Sequence, residues 1–274
     1  TAAQLAAVPT SVVQLDPGLR IPYTIQYGVG VERQLNASSS IYANYVGSRG
    51  IDLFRSIDAN APLPPNYIAR PDRHLGQQRL IQSEGYLKSN ELEIGFRGRP
   101  TKFFTGQAHY NLGKTYNNTS GITYFPANSY FPNSDWGRSD NDQRNKFDLL
   151  GTFEAGKWFN FGTALSAYSG KPVNITTGSD DYNDGLSNAR PAGVSRNSMH
   201  GPGYLDLDLN LERDFALTKE GDKGPVITLG LNSFNVLNHA NNLTYTGVVG
   251  SPFFGHAIAA QPPRRMQLDL QFRF

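Results

Sequence analysis

Cysteine is missing from all 274 residues. Disulfides therefore play no part, which suits a cell-envelope protein that dispenses with them but weighs little alone. No apolar run approaches the roughly 18 residues that a transmembrane helix requires. That leaves a membrane barrel open, because a barrel strand shows lipid only at every second residue and its hydropathy stays low. Mean hydropathy here is −0.45. Charge of one sign is nowhere concentrated: 25 Lys+Arg face 23 Asp+Glu, for a net charge of +2. A nucleic-acid interface needs clustered base, so no nucleic-acid partner is expected. The opening TAAQLAAVPT has no basic region followed by an apolar core, so it is not a signal peptide. For an exported protein this predicts a mature or truncated chain. Catalytic signatures are lacking too: G-x-S-x-G, H-E-x-x-H, C-x-x-C and P-loop patterns do not occur. Gly28 and Gly30 form a G-x-G with no third glycine and no following helix, and read as strand glycines. His74, His109, His200, His239 and His256 are scattered, without the grouping of a zinc site. Neither an enzyme nor a cofactor is expected.

What the sequence has is alternation. In the last stretch, Arg264–Phe274, Met266, Leu268, Leu270, Phe272 and Phe274 are apolar, and the residues between them are polar or charged. Period two marks a strand with one apolar face. The same pattern recurs upstream. Tyr23, Ile25, Tyr27, Val29 and Val31 share a face of Pro22–Leu35, and Ser38–Gly47 follows as its partner with Ile41, Ala43 and Tyr45. Tyr86–Gly98 places Leu92, Ile94 and Phe96 opposite Glu91, Glu93 and Arg97. Phe103–Tyr116, Arg144–Glu154, Trp158–Tyr168, Gly203–Asp214 and Pro225–Val236 complete about nine strands. Thr1–Arg20 reads as loop, with a short extended piece at Ser11–Leu15.

Connections alternate in length. Tight turns are predicted at Asn36–Ala37, Arg99–Lys102, Ala155–Lys157 and Lys219–Gly224. Long irregular stretches are predicted at Ser48–Gly85, Asn117–Gln143, Ser169–Pro202 and Leu237–Pro263. All short turns then fall at one end of the sheet and all long loops at the other, as in outer-membrane barrels with short periplasmic turns and long extracellular loops. The expected fold is all-β, an antiparallel transmembrane β-barrel, with 1–274 forming one barrel segment. An odd strand count is unusual for such barrels, and an open sheet edge is forbidden in lipid. Part of a larger barrel is therefore expected.

Several pieces carry a resemblance. These are PYTIQYGVGVERQL at Pro22–Leu35, YVGSRG at Tyr45–Gly50, SDNDQRNKF at Ser139–Phe147, and YSGKPVNITTGSDDYNDG at Tyr168–Gly185 with Arg190–Pro191. NSFNVLNHANN at Asn232–Asn242 and the terminal RRMQLDLQFRF complete the set. In this order they resemble the C-terminal half of the barrel of TonB-dependent outer-membrane receptors, in the Oar-like group. The resemblance implies a 22-stranded barrel of which this chain is about the last nine strands. It implies a bacterial outer-membrane location, uptake of a bulky solute, and energy from a TonB complex acting through a plug domain not visible in this chain. It also implies that Phe274, with Phe272, Leu270 and Leu268 behind it, is read by the barrel-assembly machinery. The simpler role is an aromatic anchor at the lipid interface. A plug-less structural or adhesive surface barrel, and a soluble secreted carbohydrate-binding β protein, are the alternatives.

Two loop features could bind something. Asp180, Asp181 and Asp184 are oxygen donors that could hold calcium, but their spacing does not fit D-x-[DN]-x-[DN]-G. Tyr124, Phe125, Tyr130, Phe131 and Trp136 could grip a solute, or pack their loop on itself. Glu91, Glu93 and Arg97 read as a wetted wall rather than an acid/base pair, and Asn118-Thr119-Ser120 as a chance sequon.

Overall fold

The computed structural model describes residues 10–154, 160–217 and 224–274. Its strands are β1 (Thr10–Leu15), β2 (Tyr23–Asn36), β3 (Ser39–Asp58), β4 (Leu75–Thr101), β5 (Phe104–Asn117), β6 (Gly137–Arg138) and β7 (Asn145–Glu154). They continue with β8 (Asn160–Tyr168), β9 (Pro172–Val173), β10 (Met199–His200), β11 (Tyr204–Ala216), β12 (Val226–Phe234) and β13 (Arg265–Arg273). One 3-10 turn, Pro132–Asp135, is the sole helical element among the described residues. Nine strands form an antiparallel meander in the order β2-β3-β4-β5-β7-β8-β11-β12-β13.

Register explains why alternation in the sequence becomes a two-faced wall. Ile41, Phe96, Ala108, Leu149, Leu165 and Leu207 lie directly opposite one another across six strands. One residue along, Tyr42, Gly95, His109, Asp148, Ser166 and Asp206 make a parallel row on the other face. A slip of one residue in any strand would move polar groups into the apolar row, so the rows hold each other in place. Close packing within the wall uses glycine. The Tyr42 ring lies over Gly95 and the Tyr27 ring over Gly47, where a Cβ would collide with the ring.

The apolar face has nothing packed on it. All substantial contacts between described elements run between ladder partners, so no second layer covers the sheet. Leu268 is 84% exposed, Leu270 72% and Phe274 99%. The fully buried hydrophobic residues among those described are Ala61, Ala127, Ala189 and Val226. A water-soluble globule would have to bury these leucines in a core, and the described residues form no such core.

Two expectations need correction, and a third, the extended piece at Ser11–Leu15, is met. The stretch Ser48–Gly85 is not mainly loop: β3 runs on to Asp58 and β4 starts at Leu75, leaving only 59–74 as connection. The pairing shifts between Gly50 and Arg55, with Asp52 at φ 56°. Such a bulge adds a residue to one strand and breaks the alternation that would reveal it in the sequence. Ser11–Leu15 is extended but adds no strand to the meander. It lies parallel on β4, with Thr10 opposite Leu75 and Leu15 opposite Ile81. Secondly, the loops carry strand pieces of their own, the β9–β10 ribbon and β6 on β5. The predicted turn at Ala155–Lys157, the start of the strand at Trp158, and most of the turn at Lys219–Gly224 lie outside the described residues. The two remaining short turns, β2–β3 and β4–β5, sit at the same end of the sheet. The strand edges of β2 and β13 have no partner among the described residues, so the sheet is open rather than a closed ring.

Candidate functional site

At 27 residues, β4 is far longer than the roughly 9–11 a tilted strand needs to cross a bilayer. The ribbon of β3 and β4 beyond the bulge therefore stands clear of the span. Around it fold 59–74, 118–144, 169–203 and 235–264, forming a cap held by polar groups. Asp58, 2% exposed, is its anchor. Its carboxylate pairs with Arg70 at 2.9 Å and accepts the N–H groups of Asn60 and Gln78. Arg70 also donates to the Asp184 carbonyl, and the Asn183 amide donates to the Tyr67 carbonyl, tying 59–74 to 169–203. Buried asparagines act as knots. The Asn60 amide donates to the carbonyls of Asp72, Leu75 and Gly76 and accepts from the Asp72 N–H. Asn241 both accepts from the Leu205 N–H and donates to the Leu205 carbonyl. A buried polar group without a partner costs about 1–3 kcal/mol, so such amides are fixed by several bonds at once.

Inside the cap lies a cavity of about 570 Å³. Arg55, Arg79, Arg190 and Arg196 line it, with Asp135 and Asp140 the two carboxylates, and Gln77, Tyr124, Phe125 and Asn188 complete much of the wall. Two of the arginines are neutralised. Arg190 meets Asp135 at 2.7 Å, both side chains nearly buried. Arg196 meets Asp140 at 3.0 Å and also donates to Ser120 Oγ and the Asn117 carbonyl. Among the described residues, Arg55 has no carboxylate within ion-pair distance. It is 7% exposed, its Nε is buried without a hydrogen-bond partner, and Nη1 reaches only Asn133 Oδ1 at 3.4 Å. Burial pushes its guanidinium down from the ordinary range, against the pull of the more distant Glu84 and Asp135. Arg79 donates to the Ile122 carbonyl and lies 4.5 Å from the Phe125 ring centre, again without a carboxylate.

The loop aromatics do not act as one group. Tyr124 and Phe125 line the cavity. Tyr130 instead pins the cap, its hydroxyl donating to the Ala61 carbonyl at 2.7 Å. Phe131 is exposed, and Trp136 stacks on Tyr116 at the end of β5. The three aspartates are not brought together as ligands: no metal-holding group of acidic or imidazole side chains occurs among the described residues. Asp180 accepts the N–H groups of Asp184 and Gly185 with its two oxygens, and Asp184 accepts that of Leu186. Burial pushes the Asp184 carboxyl up to about 6. Phe272 and Phe274 keep the outward face of β13, with ring centres 5.8 Å apart. Glu93 accepts from the Tyr42 hydroxyl at 2.8 Å, 3.7 Å from His109, while Arg97 pairs with Glu32. Asn118 of the sequon is buried, and its side chain is engaged by Tyr86 and Glu84.

The cavity arginines escape sequence reading because they come from three separate stretches, β3, β4 and the 169–203 connection. Arg190 was visible only as part of a resembling motif, and nothing local singles out Arg55, Arg79 or Arg196.

Comparison with known proteins agrees with the geometry. Residues 1–195 match the family described as outer membrane beta barrel domain. This chain belongs to that family. Its place is the bacterial outer membrane, and the bare apolar face of the wall is the lipid face. Among solved structures, the outer membrane transporter YddB from Escherichia coli is similar, with a TM-score of 0.62 and 14% identity, covering 96% of this chain. The chain spans 34% of that transporter's length, and at that identity the likeness is one of fold. No curated protein matches the chain.

Proposed function

We propose that the chain is the C-terminal part of the barrel of a TonB-dependent outer-membrane receptor that takes up a bulky solute. One observation carries this: a nine-strand meander with a charged inner face, whose long loops gather at one end into a cap around a cavity. A porin-like wall alone would need no such organised end. The two open edges support a larger ring, since each needs a partner strand in lipid. The likeness to a transporter over a third of that protein's length is compatible with the same view. In this reading the barrel binds and passes its cargo without chemistry of its own. Energy comes from a TonB complex acting through a plug supplied by polypeptide outside this chain.

In native cells the full polypeptide carrying this segment should crosslink to TonB, and uptake of its solute should stop when the proton gradient collapses. Passive conduction in planar bilayers with no TonB crosslink would instead fit a plug-less structural or adhesive barrel and overturn the energised reading. Removing Phe274 should lower insertion into the outer membrane. Unchanged surface levels of that truncation would count against an assembly role for the terminal aromatic.

A further inference from the structure

We propose that the cap cavity binds the anionic group of an organic solute, a carboxylate or a phosphate, between Arg55 and Arg79. This rests on reading the long-loop end as the place where cargo is met. Four arginines and two aspartates line the cavity, and both aspartates are engaged by Arg190 and Arg196. Glu84, the other carboxylate that acts on Arg55, is drawn toward Arg20 at 3.5 Å. Every acidic group near Arg55 is thus held by a different arginine. A guanidinium nine-tenths buried, with Nε unpartnered and no counter-ion, is costly unless something else supplies the negative charge. Arg79 converges on the same space, its own charge facing only a carbonyl and the Phe125 ring. Arginine is suited to this task, because its planar fork binds carboxylate and phosphate oxygens in pairs. The cavity's 570 Å³ lies in the usual range of small-molecule sites. Tyr124 and Phe125 give the rest of such a solute an apolar, aromatic bed.

The test uses the full polypeptide carrying this segment, in detergent micelles, with citrate and inorganic phosphate as probes and lipopolysaccharide micelles as a separate arm. Citrate or phosphate should raise the melting temperature, and the rise should fade as salt is added. Arg55→Met and Arg79→Gln should each weaken the probe at least tenfold, and Arg55→Met should leave the ligand-free protein no less stable. Loss of binding in both variants with intact folding supports the site. Unchanged probe affinity in both variants overturns it. A ligand-free melting temperature lowered by Arg55→Met would make Arg55 a structural brace and likewise overturn it. Binding of lipopolysaccharide that depends on both arginines, with no response to citrate or phosphate, overturns the small-solute form. Arginine-dependent citrate or phosphate binding in a protein that does not crosslink to TonB leaves the site standing and fails only the energised reading.

Discussion

The wall and the cap of this molecule follow opposite rules. In the wall, large apolar side chains such as Val29, Leu268 and Leu270 stand exposed, while charged groups such as Glu93 and Arg97 occupy the other face. In the cap, Asp58, Asn60, Arg196, Asn197 and Asn241 are buried, and the few buried apolar groups are small ones, alanines and prolines such as Ala61 and Pro62. A soluble protein inverts the first rule and avoids the second. The difference teaches that burial in this protein is polar by design. Lipid takes the apolar surface, so the interior is left to hydrogen bonds and ion pairs. The wall tolerates its exposed leucines only in lipid, and the cap holds nearly all of its buried charges in pairs, with Arg55 the exception.

The comparison breaks most severely at Asp58. Asp58→Ala leaves the part-buried Arg70 without its carboxylate and two buried-side backbone N–H groups unpaired, an expected loss of about 3–5 kcal/mol confined to the cap. Limited proteolysis should then cut 59–74 and 169–203 while the strands stay protected. Cleavage spread evenly over the chain would mean that cap and wall are one cooperative unit. Next is Leu270→Arg, which sets a charge on the lipid face opposite Leu229. Near the bilayer middle this should cost about 2–4 kcal/mol and reduce the folded fraction in membranes, with the cap's protease resistance unchanged in the molecules that insert.

Asp184 sharpens the comparison through pH. Its carboxyl is pushed up to about 6 from an ordinary 3.8 by burial, with Asp180 adding to the shift. A raised value means the folded cap holds the proton more tightly than the unfolded chain. The stabilisation is complete below about pH 4 and is lost as pH rises through about 6. Asp184→Asn, which keeps the acceptor for the Leu186 N–H, should therefore stabilise the cap by about 2 kcal/mol at pH 7.5 and by almost nothing at pH 4. Melting the variant beside the parent across that range checks it, and a constant offset would rule out the titration. The smallest effect expected is at Gly95. Gly95→Ala meets the tip of the Tyr42 ring, which can swing aside, so about 1 kcal/mol is expected, read as a lower melting temperature of the wall with the cap intact.

Alternation is a local property, and it made the wall legible. All nine strands of the meander, their lipid faces and the side with the long loops follow from period two and turn spacing. The outward order of Leu205, Leu207, Leu268 and Leu270 is one case. The cap was not legible, because nothing local marks what a buried polar group will touch. Asn60 and Asn241 read as loop asparagines, yet Asn60 gathers the backbone of Asp72, Leu75 and Gly76, and Asn241 pins its connection to both backbone groups of Leu205. The extension of β3 and β4 vanished from the pattern behind one bulge. Arg55, Arg79, Arg190 and Arg196 meet only because the β3–β4 ribbon and the 169–203 connection come together at one end. Sequence alone determined which residues lie in strands and which face meets lipid, since both depend on neighbours two positions apart. Only the tertiary structure decided which charges are paired and which arginines face the cavity, since a guanidinium's partner is set by distance in space and not along the chain.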